Sequence, residues 1–199
     1  MIKIGITGGI GSGKSYVSCL LKEMGVDVYD TDSRAKQLTL SHPSIRKGLI
    51  DLLGEEVYHG DCLNRALVAD YLFASPENAK HINALIHPRV YDDFCKWAED
   101  YRKRGKNIVA MECAILFEAG FEHAVDVIWM VSAPIEVRLH RAMARDHASE
   151  EQIRARITAQ MDDRDKCGRA DFVIINDGIC EVKPQLEKLL QQLEERKHF

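Results

Sequence analysis

Apolar positions along the chain follow two rhythms. Ile2, Ile4 and Ile6 in MIKIGIT form a short β-branched run that predicts a buried strand. VDVYD at 26–30 predicts a second strand, and DFVII at 171–175 a last short one. NIVAMEC (107–113) and VDVIWMV (125–131) are continuous apolar runs, as in strands covered on both faces. Between these the period lengthens. Val17, Leu20, Leu21 and Met24 recur at i, i+3, i+4 and i+7, an amphipathic helix that Gly25 is placed to end. From Thr31 to about Gly105 the pattern is mostly helical and polar. Gly54 closes one helix, Ser75-Pro76 opens another that stops near His87-Pro88, and a further one runs from about Arg89 to Arg104. Pro134 begins a helix that ends near Asp146. Ser149 with Gln152 forms a capping-box pattern. After the Asn176-Asp177-Gly178 turn a charged amphipathic helix closes the sequence.

Strands alternating with helices predict an α/β fold, a parallel sheet flanked by helices. The segments 33–105 and 138–169 are too long for simple connections and read as helical insertions at the ligand-binding end of the sheet. Hydrophobic content of 46% and charged content of 29% suit a soluble globular protein. A net charge of -4 argues against nucleic acid or an anionic membrane as partner, so any phosphate site must be local. No apolar run approaches the roughly 18 residues of a membrane span. The cysteines are Cys19, Cys62, Cys95, Cys113, Cys167 and Cys180. They form no C-x-x-C, which argues against zinc. Without a signal peptide they point to reduced thiols and a cytoplasmic location.

Residues 8–15 read GGIGSGKS and match G-x-x-x-x-G-K-[ST], a P-loop placed after a strand and at the opening of a helix. Gly8, Gly9, Ile10, Gly11, Ser12, Gly13 and Tyr16 would offer backbone N–H groups to phosphate, unobstructed by side chains at the glycines. The helix beginning near Gly13 aims its positive end at the same anion. Lys14 would bridge β- and γ-phosphates, and Ser15 would hold Mg²⁺. ATP or GTP is the implied ligand.

Asp30-Thr31-Asp32 follows the second strand. Asp32 could accept the proton of an attacking hydroxyl, with Asp30 arranging Mg²⁺ or its waters. The alternative is that Asp32 caps the helix of SRAKQL. The 138–169 segment carries Arg138, Arg141, Arg145, Arg154, Arg156, Arg164, Lys166 and Arg169, interleaved with carboxylates. Two readings stand: a solvated, salt-bridged helix pair, or a lid that excludes water and brings guanidinium charge to a transferring phosphoryl group.

TGGIGSGKS, DTD, LNRALVADYLFASPENAKHINALIHP, ILFEAG and ADFVIINDG, in this order, resemble the dephospho-coenzyme A kinase family over nearly the whole chain. The resemblance implies transfer of the γ-phosphate of ATP to the ribose 3′-hydroxyl of dephospho-CoA, the last step of coenzyme A synthesis. It implies a P-loop kinase-like core (1–32, 106–137 and 170–199), a helical substrate domain (33–105) and a helical lid (138–169). It also implies Asp32 as base, Arg141 acting in catalysis, Arg145 and Asn176 near the nucleotide, and Arg65, His87, Arg89 and Glu118 toward dephospho-CoA. Each has a plain structural reading as well: His87-Pro88 as a helix end, Arg65 in an ion pair, Asn176 shaping a turn. Two departures from the family pattern stand out. Tyr16 replaces a small hydroxylated residue, and Ala114-Ile115-Leu116 replaces proline-leucine-leucine before Phe117-Glu118. Rival expectations are a nucleoside or nucleoside-monophosphate kinase and a nucleotide-dependent switch. The absence of an Asn-Lys-x-Asp sequence counts against the switch. No obligate protein partner is evident.

Overall fold

The computed structural model describes residues 1–195, so positions 196–199 of the expected core lie outside the described residues. Among the described residues the main sheet has five strands: β1 (Ile2–Thr7), β2 (Asp27–Asp30), β5 (Ile108–Glu112), β6 (Val127–Ser132) and β7 (Phe172–Ile175). Their order is β2-β5-β1-β6-β7. β1 lies parallel between β5 and β6, with Ile4 opposite both Ala110 and Val127. β7 runs parallel along β6. Central placement explains the continuous apolar runs. Ile4, Ile6, Val109, Ala110, Trp129 and Val131 have no exposed surface, because a parallel sheet is covered on both faces. One covering layer is α1 (Lys14–Glu23) with α9 (Val182–Glu195). Val17, Leu20, Leu21, Leu186 and Leu193 join the same apolar cluster as Ile4, Ile6 and Trp129. Burying one such side chain stabilises by about 1.5–3 kcal/mol.

The chain divides into two compact units, one made of Met1–Tyr29 with the chain from Asp100 onward, the other of Asp30–Glu99. In the first, α6 (Ile135–Asp146), α7 (Glu150–Thr158) and α8 (Asp163–Arg169) fill the segment between β6 and β7. Leu139, Ala142 and Ile153 make a small apolar cluster there, with Ile10 packed against it. Ser149 and Gln152 form the expected reciprocal cap of α7.

The second unit holds α2 (Thr31–Ser41), α3 (Pro43–Leu53), a short 3₁₀ turn, the hairpin β3 (Tyr58–His59) and β4 (Cys62–Leu63), α4 (Arg65–Ala74) and most of α5 (Pro76–Lys103). Three features differ from the sequence reading. First, the hairpin carries no apolar alternation; two residues per strand are too few to show one. Second, α5 does not stop at His87-Pro88 but runs through Pro88. Proline there removes one helix hydrogen bond and crowds the preceding turn. Ile82, Val90, Phe94 and Ala98 are buried on both sides of it, and that shared burial outweighs local propensity. Third, the cap of α2 is Asp30, not Asp32. The Asp30 carboxylate accepts from the N–H groups of Asp32 (3.0 Å) and Ser33 (3.1 Å) and from the Ser33 hydroxyl (2.6 Å).

Candidate active site

Residues 8–13 leave the end of β1 and curl into the first turn of α1. Gly13 shows why glycine is needed: its φ is +92°, and a Cβ on it would strike the Asn176 side-chain amide. Gly11, at φ +77°, leaves no room for a side chain beside the Arg138 carbonyl. Left-handed backbone of this kind costs a non-glycine residue roughly 1–2 kcal/mol.

The Lys14 ammonium lies over the loop, donating to Gly8 O (2.9 Å) and Gly9 O (3.2 Å). The Ser15 hydroxyl donates to Glu112 at the end of β5 (2.9 Å). Asn176 is buried just after β7. Its side-chain amide donates to Ser12 O (2.8 Å), and its own carbonyl accepts from Arg141 on α6 (2.8 Å). Lys14, Arg141 and Asn176, drawn from three distant stretches, therefore converge on one loop. Three loop N–H groups have acceptors within the chain: Ile10 gives to Gln160 (3.0 Å), Ser12 to Gly9 O (3.1 Å) and Tyr16 to Gly13 O (3.1 Å). The Tyr16 side chain is exposed.

Glu118 follows β5 in the same unit. Its carboxylate meets Lys166 (2.9 Å) and accepts from the Met161 N–H (3.0 Å). Lys166 has no exposed surface and also donates to Ala114 O (3.0 Å). Burial raises the Glu118 carboxyl, but hydrogen bonds from Lys166 and the backbone, with the Lys166 charge, together outweigh it and hold the carboxyl below its usual range. Arg145 pairs with Asp146 at the exposed end of α6 (2.7 Å). That bond draws the Asp146 carboxyl down.

In the second unit Asp32 is exposed in the first turn of α2, and Arg65 is exposed in the first turn of α4. His87 and Arg89 flank Pro88 within α5. His87 is half-buried, and burial lowers its pKa, so the imidazole is neutral at pH 7. Arg89 faces Asp92 at 3.5 Å.

Sequence reasoning missed Glu112 as partner of Ser15, and Gln160 and Arg138 as supports of the loop. Their sequence separations, from 97 to 150 residues, leave no local signal. Among the described residues no group of three or more His, Cys, Asp or Glu could hold a metal on its own. The Ser15 hydroxyl beside the Glu112 carboxylate is nonetheless a hard oxygen pair of the kind Mg²⁺ accepts, with phosphate and water completing its shell.

A parallel sheet with a lysine-bearing glycine loop between its central strand and the first helix defines a P-loop nucleotide-binding fold. The sequence profile of the dephospho-CoA kinase family matches residues 2–181, and the chain belongs to that family. The dephospho-CoA kinase of Bacteroides fragilis (strain YCH46) is 52% identical over 198 residues, spanning 100% of this chain and 96% of that protein. That of Porphyromonas gingivalis is 40% identical over 193 residues, spanning 96% and 94%. Among solved structures, TT1252 from Thermus thermophilus superposes with a TM-score of 0.80 at 35% identity, covering 96% of this chain and 97% of that one. Shikimate kinase from Acinetobacter baumannii shares the fold at a TM-score of 0.54 and 17% identity, covering 99% and 95%. Among the described residues no helix is long and apolar enough to cross a membrane.

Proposed function

We infer that this chain transfers the γ-phosphoryl group of ATP to the ribose 3′-hydroxyl of dephospho-CoA, completing coenzyme A. The observation that carries the reading is full-length kinship to dephospho-CoA kinases joined to a P-loop whose lysine already lies over the loop. Lys14 leaves the Gly8 and Gly9 carbonyls for the β- and γ-phosphate oxygens. The loop amides and the positive end of α1 hold the same anion. Ser15 and Glu112 would hold Mg²⁺, which when bound neutralises phosphate charge. Asp30, engaged in capping α2, fixes the backbone that carries Asp32, and Asp32 takes the proton of the 3′-hydroxyl as that oxygen attacks.

Arg141 sits on Asn176, where its charge can stabilise the moving phosphoryl group, and Arg145 adds charge toward the nucleotide. Arg65, neutral His87, Arg89 and Glu118 serve the dephospho-CoA side. The segments 33–105 and 138–169 act as substrate domain and lid. A cytoplasmic location belongs to the same reading, supported by six cysteines without a disulfide among the described residues. The test is a turnover assay with ATP against dephospho-CoA, AMP and deoxynucleosides, following 3′-phosphate formation. Dephospho-CoA is expected to be the preferred acceptor. Preferred phosphorylation of AMP or a deoxynucleoside would overturn the reading.

A further inference from the structure

Arg138 lies in the first turn of α6 and is almost wholly buried, its side chain 5% exposed. Its Nε donates to Ile10 O (2.9 Å), at the crown of the glycine loop, and its guanidinium is paired with Asp163 in the first turn of α8. A buried cation is tolerated only with such a counter-ion. The other side of Ile10 is held too, since its N–H gives to Gln160 (3.0 Å). Its side chain packs against the Leu139, Ala142 and Ile153 cluster. Gly9 is glycine for the same reason, because a Cβ there would meet the Arg138 guanidinium and the Asp163 carboxylate.

Peptide planarity turns these contacts into an orientation. Every peptide among the described residues is trans, so the C=O and N–H of one unit point in opposite directions. Pulling Ile10 O toward Arg138 turns the Gly11 N–H away from the Arg138 guanidinium. Giving the Ile10 N–H to Gln160 turns Gly9 O the other way, where Lys14 meets it. Two consecutive peptide planes of the phosphate loop are therefore set by side chains from the 138–163 stretch.

We propose that Arg138, with Asp163 as its counter-ion, is a positioning residue for ATP: it fixes the Ile10–Gly11 peptide plane at the crown of the loop, so that phosphate meets a Gly11 N–H whose orientation is already set. The proposal rests on the phosphotransfer reading above. The pair touches no phosphate; it acts through Ile10 and Gly11. Preorganised donors outperform donors that must reorient on binding.

The test compares the parent with Asp163→Asn, Asp163→Glu and Arg138→Met, using steady-state kinetics and calorimetric titration of MgATP without acceptor. Asp163→Asn is expected to raise the KM and Kd for ATP by about tenfold while KM for dephospho-CoA stays within about twofold. Asp163→Glu should recover most of the loss, and Arg138→Met should match or exceed it if it folds. Asp163→Asn alters one partly exposed carboxylate and keeps the test decisive if Arg138→Met does not fold. An unchanged or tighter Kd for ATP in folded Asp163→Asn overturns the proposal, as does an equal rise in both KM values. If instead the parent binds MgATP but fails to phosphorylate dephospho-CoA, the acceptor reading falls and the titration still decides the role of Arg138.

Discussion

Glu118→Gln tests how the segment after β5 is tied to α8. Lys166 has no exposed surface, and its ammonium reaches one carboxylate oxygen (2.9 Å) and one carbonyl (3.0 Å). Glutamine keeps the shape and an acceptor oxygen but removes the negative charge. Breaking a buried ion pair from one side costs about 3–5 kcal/mol. The Glu118 side chain is 26% exposed, and the amide oxygen retains a bond, so the lower end applies, about 3 kcal/mol at neutral pH. For a chain of this length that lowers Tm by roughly 6–12 °C. The pH dependence has a definite sign. The Glu118 carboxyl sits below its usual range when folded, so its contribution is complete above the unfolded carboxylate pKa and is lost as pH falls through the folded one. Urea unfolding followed by circular dichroism, from pH 7 downward, should show the parent–variant gap full at neutrality and closing in acid. A neutral-pH gap below about 1 kcal/mol, or a gap that stays flat through the acid series, refutes the coupling.

Lys14→Ala should lower kcat/KM by about 10²–10³-fold, the usual effect of one lost transition-state donor; equal kcat/KM for variant and parent would count against its role. Asp32→Asn should fold and bind ATP, yet lose about 10²–10⁴ in turnover. Undiminished phosphoryl transfer would remove the base assignment. Gly13→Ala adds left-handed strain of about 1–2 kcal/mol and drives a methyl into the Asn176 amide. Weaker ATP binding by titration is expected, and parent-like affinity would show that the loop accommodates the methyl.

The sheet was legible because its physics is local. A strand covered on both faces must be apolar throughout, and NIVAMEC and VDVIWMV are written that way. The glycine loop was legible for a related reason: a left-handed φ at Gly11 and Gly13 and the close approach of Asn176 and Arg138 leave glycine as the residue that fits. Where two local rules competed, the sequence did not say which would win. Pro88 signals a stop, yet buried Ile82, Val90 and Phe94 carry α5 through it. Asp30 and Asp32 are equally good cap residues by type. Asp30 takes the role because its oxygens reach two successive N–H groups and the Ser33 hydroxyl.

The arginine-rich stretch shows where legibility ended. By type and spacing Arg138, Arg145, Arg154 and Lys166 are four basic residues among carboxylates. In the fold they separate by burial. Arg145 and Arg154 are themselves exposed and meet carboxylates one and four residues away, pairs of the kind that contribute little. Arg138 and Lys166 are buried, and each bonds a carbonyl far along the chain, at Ile10 and Ala114. Helical spacing reports which residues share a face; it does not report which carbonyl that face will meet 128 or 52 residues away. The two buried cations are also the costly ones to leave unpaired. The sequence features that hold the loop and its flank are thus the ones with least local signature, and Asp163 and Glu118 are the carboxylates that neutralise the two buried cations.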